Sequence, residues 1–259
     1  MTIDDEPDAK SPRGVTALED GGGSDRGLTA VIFDWGGTLA QFATIDLEDL
    51  WRLAARHLAP GRESEVATQL AAIEESFWER SSRDHRAWTL AELLATARSS
   101  IGVDVAEALL EEAGVLYLDA WTPHIRHEPD AVEVLQALRA RGLRLGLLSN
   151  THWPRAFHEH FLERDGLNEL LDARLYTSEM QHTKPHIEAF RSALAALDVH
   201  DPGQAAFVGD RPYDDISGAR AAGMRAVLRR NNAVPSHDVD PDATIDRLSD
   251  LLVHIDAWL

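Results

Sequence analysis

A chain of 259 residues and 28.6 kDa is long enough for one or two domains with a sizeable core, and 44% hydrophobic with 27% charged residues is an ordinary globular composition. Lys and Arg number 25 against 44 Asp and Glu, a formal charge of −19, which sets the chain against nucleic acid and anionic membrane because both are themselves negative. The absence of Cys excludes disulfides, thiolate metal sites and Cys nucleophiles. No apolar run approaches the ~18 residues of a bilayer span, and the acidic start MTIDDEP is wrong for a secretory signal; a cytoplasmic monomer or small homo-oligomer is expected.

Residues 1–27, rich in Asp, Glu, Gly and Ser, show no apolar periodicity and read as a disordered acidic tail. Order begins with Thr29-Ala30-Val31-Ile32-Phe33-Asp34, a short apolar run before Gly36-Gly37 that suits a strand buried on both faces of a parallel sheet. The next stretch is helical. Leu47, Leu50, Trp51, Ala54, Ala55 and Leu58 form one face, stopped by Pro60-Gly61, and Val66, Leu70, Ile73 and Phe77 continue with helical spacing. Thr89-x-x-Glu92 is a capping box opening a third helix, and Asp104-x-x-Glu107 opens a fourth. Four amphipathic helices without a strand predict a helical bundle, residues 42–121, inserted into the chain.

From Pro129 helices and strands alternate. Strands are expected at 143–148, 173–177, 204–208 and 225–229, with helices after Pro154 and Pro185, near 214–222 and over about 246–257. This is the pattern of an α/β, doubly wound, mostly parallel sheet, built from residues 28–41 and 122–259. In such sheets ligands bind at the carboxyl ends of the strands. The residues there are Asp34-Trp35-Gly36-Gly37-Thr38, then Ser149-Asn150, Lys184-Pro185, and Gly209-Asp210 with Asp214-Asp215. Carboxylates gathered in one place repel one another unless a cation lies among them, and oxygen ligands without His or Cys favour Mg²⁺. Lys184 and the backbone N–H groups around Gly37 and Thr38 are suited to a phosphate. Taken alone Lys184 reads as a solvated surface residue, but the chain has only two lysines, Lys10 and Lys184, and uses Arg for almost every other cation, which points to a Lys kept for its chemistry.

A strand-end Asp taken alone caps a turn, and Ser149-Asn150 alone reads as a turn. Four motifs in order, each after its own strand, together with Phe190 and the string Asp215-Ile216-x-Gly218-Ala219-x-x-Ala222-Gly223-Met224, resemble the haloacid dehalogenase superfamily, in its branch with a helical cap after the first motif. The resemblance implies a hydrolase. Asp34 would be the nucleophile that takes a phosphoryl group, Ser149 and Asn150 would sit at that group, and Lys184 would neutralise charge. Asp34, the carbonyl of Gly36, Asp210 and Asp215 would hold Mg²⁺, with Asp214 an open alternative to Asp215. The substrate would be a small phosphorylated metabolite.

One position departs from the family pattern. Family phosphatases carry a second Asp two residues after the nucleophile, as general acid and base; here it is Gly36. Three alternatives follow. His152 or His182 substitutes for the missing acid; the protein binds a phosphorylated ligand or a partner without turnover; or it is a haloacid dehalogenase, a reading the acidic cluster at Asp210 and Asp215 opposes. A Schiff-base mechanism like that of phosphonoacetaldehyde hydrolases is set aside, because no Lys lies between Lys10 and Lys184. Trp35 and Trp153 are expected at the mouth of the site, and Trp51, Trp78, Trp88 and Trp121 in the cap core.

Overall fold

The computed structural model describes residues 27–100 and 105–259; residues 1–26 of the expected acidic tail and Asp104 of the second capping box lie outside them. Among the described residues one sheet forms, with strand order β3-β2-β1-β4-β5-β6 and every pairing parallel. The strands are β1 (Ala30–Phe33), β2 (Arg144–Ser149), β3 (Ala173–Tyr176), β4 (Ala205–Gly209), β5 (Arg225–Arg229) and β6 (Ala243–Ile245). β1 is buried throughout because both of its faces are covered. Its side chains alternate: Val31 and Phe33 join one apolar cluster with Leu145, Leu147, Val208 and Val227, while Ala30 and Ile32 join a second with Leu148, Phe207 and Ala226. Helices α5 (Ala131–Ala140), α6 (Arg155–Arg164) and α9 (Leu251–Trp258) cover the first face, and α7 (Ile187–Ala196) and α8 (Gly218–Ala221) the second.

The inserted bundle consists of α1 (Leu47–Leu58), α2 (Glu63–Asp84), α3 (Leu90–Ser100) and α4 (Glu107–Trp121). The Thr89–Glu92 capping box forms: the Thr89 N–H donates to Glu92 at 2.7 Å and the Glu92 N–H to Thr89 Oγ1 at 3.2 Å. The apolar cluster of the first sheet face runs without a break into the bundle, so cap and core share one interior. Two expectations need correcting. The helix expected near 214–222 is a wide π-type turn, Pro212–Ser217, followed by the short α8. The last helix opens as a 3₁₀ turn over Leu248–Asp250 and becomes α-helical from Leu251, and ahead of it Ala243–Ile245 pairs with β5 as a sixth strand too short to show a pattern.

Candidate active site

The sheet reverses its order between β1 and β4, and that switch point places the residues after the two strands side by side. Asp34 follows β1 and Asp210 follows β4. Asp215 is brought back to them by the turn after β4, where its Oδ2 accepts from the Arg211 N–H at 2.9 Å. Oxygens of Asp34, Asp210 and Asp215 all lie within 4.8 Å of one another, and all three residues are buried. Of the two neighbouring aspartates it is Asp215 that joins this cluster, while Asp214 Oδ2 faces Arg211 at 3.9 Å. The backbone demands glycine nearby. A Cβ on Gly209 would stand 2.3 Å from Asp215 Oδ2, and one on Gly37, whose φ is +83°, would stand 2.0 Å from Asp210 Oδ2.

Lys184 is the single ammonium in this cluster. Its Nζ lies 2.6 Å from Asp34 Oδ1 and 2.7 Å from Asp215 Oδ1, with 1% of its side chain exposed. Burial works against its charge, but Asp215 and Asp34 more than offset burial and hold its pKa above the ordinary lysine value. Asn150 fixes Lys184 from behind: its Nδ2 donates to the Lys184 carbonyl at 3.0 Å and its Oδ1 accepts from the Lys184 N–H at 2.8 Å. Asn150 thus grips Lys184, and it also borders the cavity.

Three carboxylates against one ammonium leave an excess of negative charge in a dry place. Burial pushes Asp34 up to about 7, against the pull of Lys184, and Asp210 up to about 6, with Asp215 raising both further. Asp210 Oδ2 accepts from Asn231 Nδ2 at 2.6 Å, but its Oδ1 is buried without a partner. A buried carboxylate oxygen that lacks a donor, in an all-oxygen set, fits a hard divalent cation. Asp34, Asp210 and Asp215 are the side chains placed to hold it.

Asp34 and Lys184 open into a cavity of about 340 Å³ between the core and the helical bundle, also bordered by Gly36, Gly37, Ser149 and Asn150, while Asp210 and Asp215 are not on its wall. Thr38 is not on its wall; it is fully buried beneath the turn, with its carbonyl accepting from Arg229 at 2.8 Å. The expected phosphate cradle also shifts. The Gly37 N–H donates to the Ala40 carbonyl and the Thr38 N–H to the Trp35 carbonyl, so the turn's own bonds use them and leave the N–H groups of Trp35 and Gly36 outside. Gly36 has a free flank: a Cβ there would meet nothing within 4 Å.

His152 is on the cavity wall, with burial driving its pKa down to about 3, so it is neutral. Its Nε2 lies 3.3 Å from the Tyr117 hydroxyl. A neutral imidazole is not the stored acid that the missing carboxylate calls for. His182 is not on the wall; its ring stacks on His186 with centroids 3.7 Å apart. Trp35 and Trp153 border the cavity as expected, and Trp78 and Trp121 reach it as well.

Sequence reasoning missed three residues here. Arg229 Nη1 donates to the carbonyls of Gly37 and Thr38 at 2.9 and 2.8 Å while its Nη2 pairs with Glu128 at 2.7 Å, which ties the nucleophile turn to the end of β5. Asn231 orients Asp210. Both sit at or just past the carboxyl end of β5, so the strand-end rule, carried one strand further, finds them. Glu74 of α2, on the cavity wall opposite the core, is the third.

With this geometry the chain can be compared with known proteins. A family model described as haloacid dehalogenase-like hydrolase matches residues 28–223. The chain belongs to the haloacid dehalogenase-like hydrolases. It is 34% identical over 223 residues to a phosphoserine phosphatase of Thermus thermophilus, covering 86% of this chain and 77% of that one. It is 33% identical over 157 residues to a glyceraldehyde 3-phosphate phosphatase of Methanopyrus kandleri, 59% of this chain and 66% of that enzyme. Among solved structures, a 2-haloacid dehalogenase from Pseudomonas syringae superimposes with a TM-score of 0.68 at 27% identity, over 90% of this chain and all of the other. The parallel sheet with an inserted helical cap is the fold of these hydrolases. Among the described residues no helix is long and apolar enough to cross a membrane.

Proposed function

We propose that the protein is a Mg²⁺-dependent phosphatase acting on a small phosphorylated metabolite through an aspartyl-phosphate on Asp34, with a core of residues 28–41 and 122–259 and a cap of residues 42–121. The observation that carries this reading is the trio of buried carboxylates facing one ammonium, with Asp210 Oδ1 lacking any donor. Relatives named as phosphatases support it.

An Asp34 carboxylate oxygen attacks phosphorus, and the bond to the leaving oxygen breaks with its electron pair. Lys184 balances charge on Asp34 and on the transferring group, and Ser149, at the end of β2, and the N–H groups of Trp35 and Gly36 face the phosphoryl oxygens. Water then attacks the acyl phosphate, freeing inorganic phosphate and Asp34. Asp34, Asp210, Asp215 and the Gly36 carbonyl would hold Mg²⁺, which supplies charge neutralisation that keeps Asp34 ionised and draws off phosphoryl charge. The cap excludes water. The reading places the enzyme in the cytoplasm, as a monomer or small homo-oligomer without nucleic acid or membrane partners.

One observation favours a second reading, halide release from a 2-haloacid: the 27% identity with a dehalogenase over its whole length. That chemistry also begins at Asp34 but leaves the acidic trio without a task. A panel of phosphomonoesters and 2-haloacids, each with Mg²⁺ and with EDTA, separates them. Phosphate release with Mg²⁺ supports the proposal. Metal-independent halide release replaces it. Binding of phosphorylated compounds without release of either product makes the protein a non-catalytic binder.

A further inference from the structure

Glu74 lies on the face of α2 that carries Val66, Leu70 and Phe77, an apolar stripe in which a carboxylate is out of place. Its side chain is 3% exposed. It accepts from Trp51 Nε1 at 2.8 Å and from the Tyr117 hydroxyl at 3.0 and 3.1 Å. All of these donors are neutral. They hold the carboxylate in place without cancelling its charge, and burial raises its pKa even so. The basic group that approaches it, His152 Nε2 at 3.8 Å, is kept neutral by its own burial. Among the described residues no Lys or Arg pairs with Glu74, and the sequence has no lysine between Lys10 and Lys184. A buried anion left with neutral partners only is costly, and proteins keep such a group where something else supplies the countercharge.

Glu74 borders the same cavity as Asp34 and Lys184, approaching it from the cap. The wall also carries four indoles, Trp35, Trp78, Trp121 and Trp153. Indole faces attract cations, most strongly where water is excluded. His152 Nδ1 is buried in the same wall without a partner, an acceptor suited to an N–H donor. The cavity thus has a phosphate end on the core and an anionic, aromatic-walled end on the cap, in a volume of about 340 Å³ that suits a small bipolar molecule.

We propose that Glu74 binds a primary ammonium group carried by the leaving group, so that the substrate is a phosphomonoester of an amino alcohol. This rests on the phosphatase reading for turnover, but not for binding. A role confined to cap stability needs an acceptor for Trp51 and Tyr117, and both bonds fall on Oε2, so the single carbonyl oxygen of glutamine can keep them; the proposal needs the charge.

The first measurement needs no change at Glu74. In the Asp34→Asn protein with Mg²⁺, calorimetry compares O-phosphoethanolamine with propyl phosphate, in which a methyl group replaces the ammonium. The expected result is at least about tenfold tighter binding of the ammonium compound, falling to near parity when Glu74→Gln is added. In the protein with Asp34 intact, the ratio of kcat/KM for the two compounds falls about tenfold or more on Glu74→Gln. Any inherent difference between the two leaving groups is common to both proteins and cancels. Equal binding of the pair, binding of neither, or a preference that survives Glu74→Gln overturns the proposal. Tight ammonium-dependent binding with no phosphate released from either compound or from p-nitrophenyl phosphate overturns the phosphatase reading and leaves the ammonium subsite standing.

Discussion

Gly36 leaves the carbon-free flank of the site open, and its backbone is outside the positive-φ region that only glycine tolerates well. Gly36→Asp therefore has both space and conformation, and it should raise turnover of alkyl phosphates by up to ~10²–10⁴. Aryl phosphates, whose oxygen leaves without a proton, should gain less. A series of phosphomonoesters of graded leaving-group pKa, run on both proteins, checks this; a flat dependence in the unmodified protein means that another group already supplies the proton. Gly37→Ala should do the opposite. Its φ of +83° costs about 1–2 kcal/mol with a Cβ present, and that Cβ collides with Asp210. Thermal unfolding should show the loss of stability, and kcat should fall with it. Asp34, Ser149, Lys184 and Asp210 were legible in the sequence because each follows its own strand. Glu74 has only a weak signal in the sequence, a carboxylate between Leu70 and Phe77 on an apolar stripe. Which hydrogen bonds the Gly37 turn keeps for itself is a matter of local geometry that no motif states.

Among the elements around the cavity between cap and core, two buried histidines lie on its wall, His152 and His158. Burial drives His152 and His158 down to about 3, well below the 6.5 of an unfolded chain. Between those values the unfolded state binds more protons, so this contribution to stability is full above about pH 6.5 and is lost as pH falls, by up to about 1.4 kcal/mol per pH unit per histidine. Asp34 and Asp210, raised by burial, act in the opposite sense in the metal-free protein, so the readout is a difference. Relative to the unmodified protein, His158→Asn should gain stability steadily as pH falls from 6.5 to 4.5 in urea unfolding; parallel pH profiles would contradict this. The seam between cap and core is tied by backbone bonds: Leu90 N–H to the His152 carbonyl at 2.8 Å, Ala87 N–H to Gln181 at 3.2 Å and Thr183 N–H to His85 at 2.9 Å. If the cap opens to admit substrate, these amides exchange through the open state. Hydrogen exchange at Ala87, Leu90 and Thr183 should slow by about tenfold or more with Mg²⁺ and orthovanadate bound, and unchanged rates would make the cap static. The bundle and its capping box at Thr89 were legible from period and cap chemistry; the seam was not, because its bonds join segments about 60 to 100 residues apart.

Across the whole molecule, the alternation of helix and strand after Pro129 fixed the sheet, and one apolar cluster joins that sheet to the inserted bundle. Only β6 escaped, since Ala243–Ile245 gains its identity from pairing with β5 rather than from its own three residues. The architecture brings the strand-end residues to one point, where three buried carboxylates meet the Lys184 ammonium, and it is there that the proposed Mg²⁺ would act. Phosphate release from a panel of phosphomonoesters, measured with Mg²⁺, with excess EDTA, and for Asp34→Asn with Mg²⁺, tests that account most directly. A Mg²⁺-dependent aspartyl-phosphate enzyme releases phosphate in the unmodified protein with Mg²⁺ and falls by at least ~10³-fold in the other two conditions, with the Asp34→Asn protein still folded. Release that persists in EDTA or in the Asp34→Asn protein would contradict it.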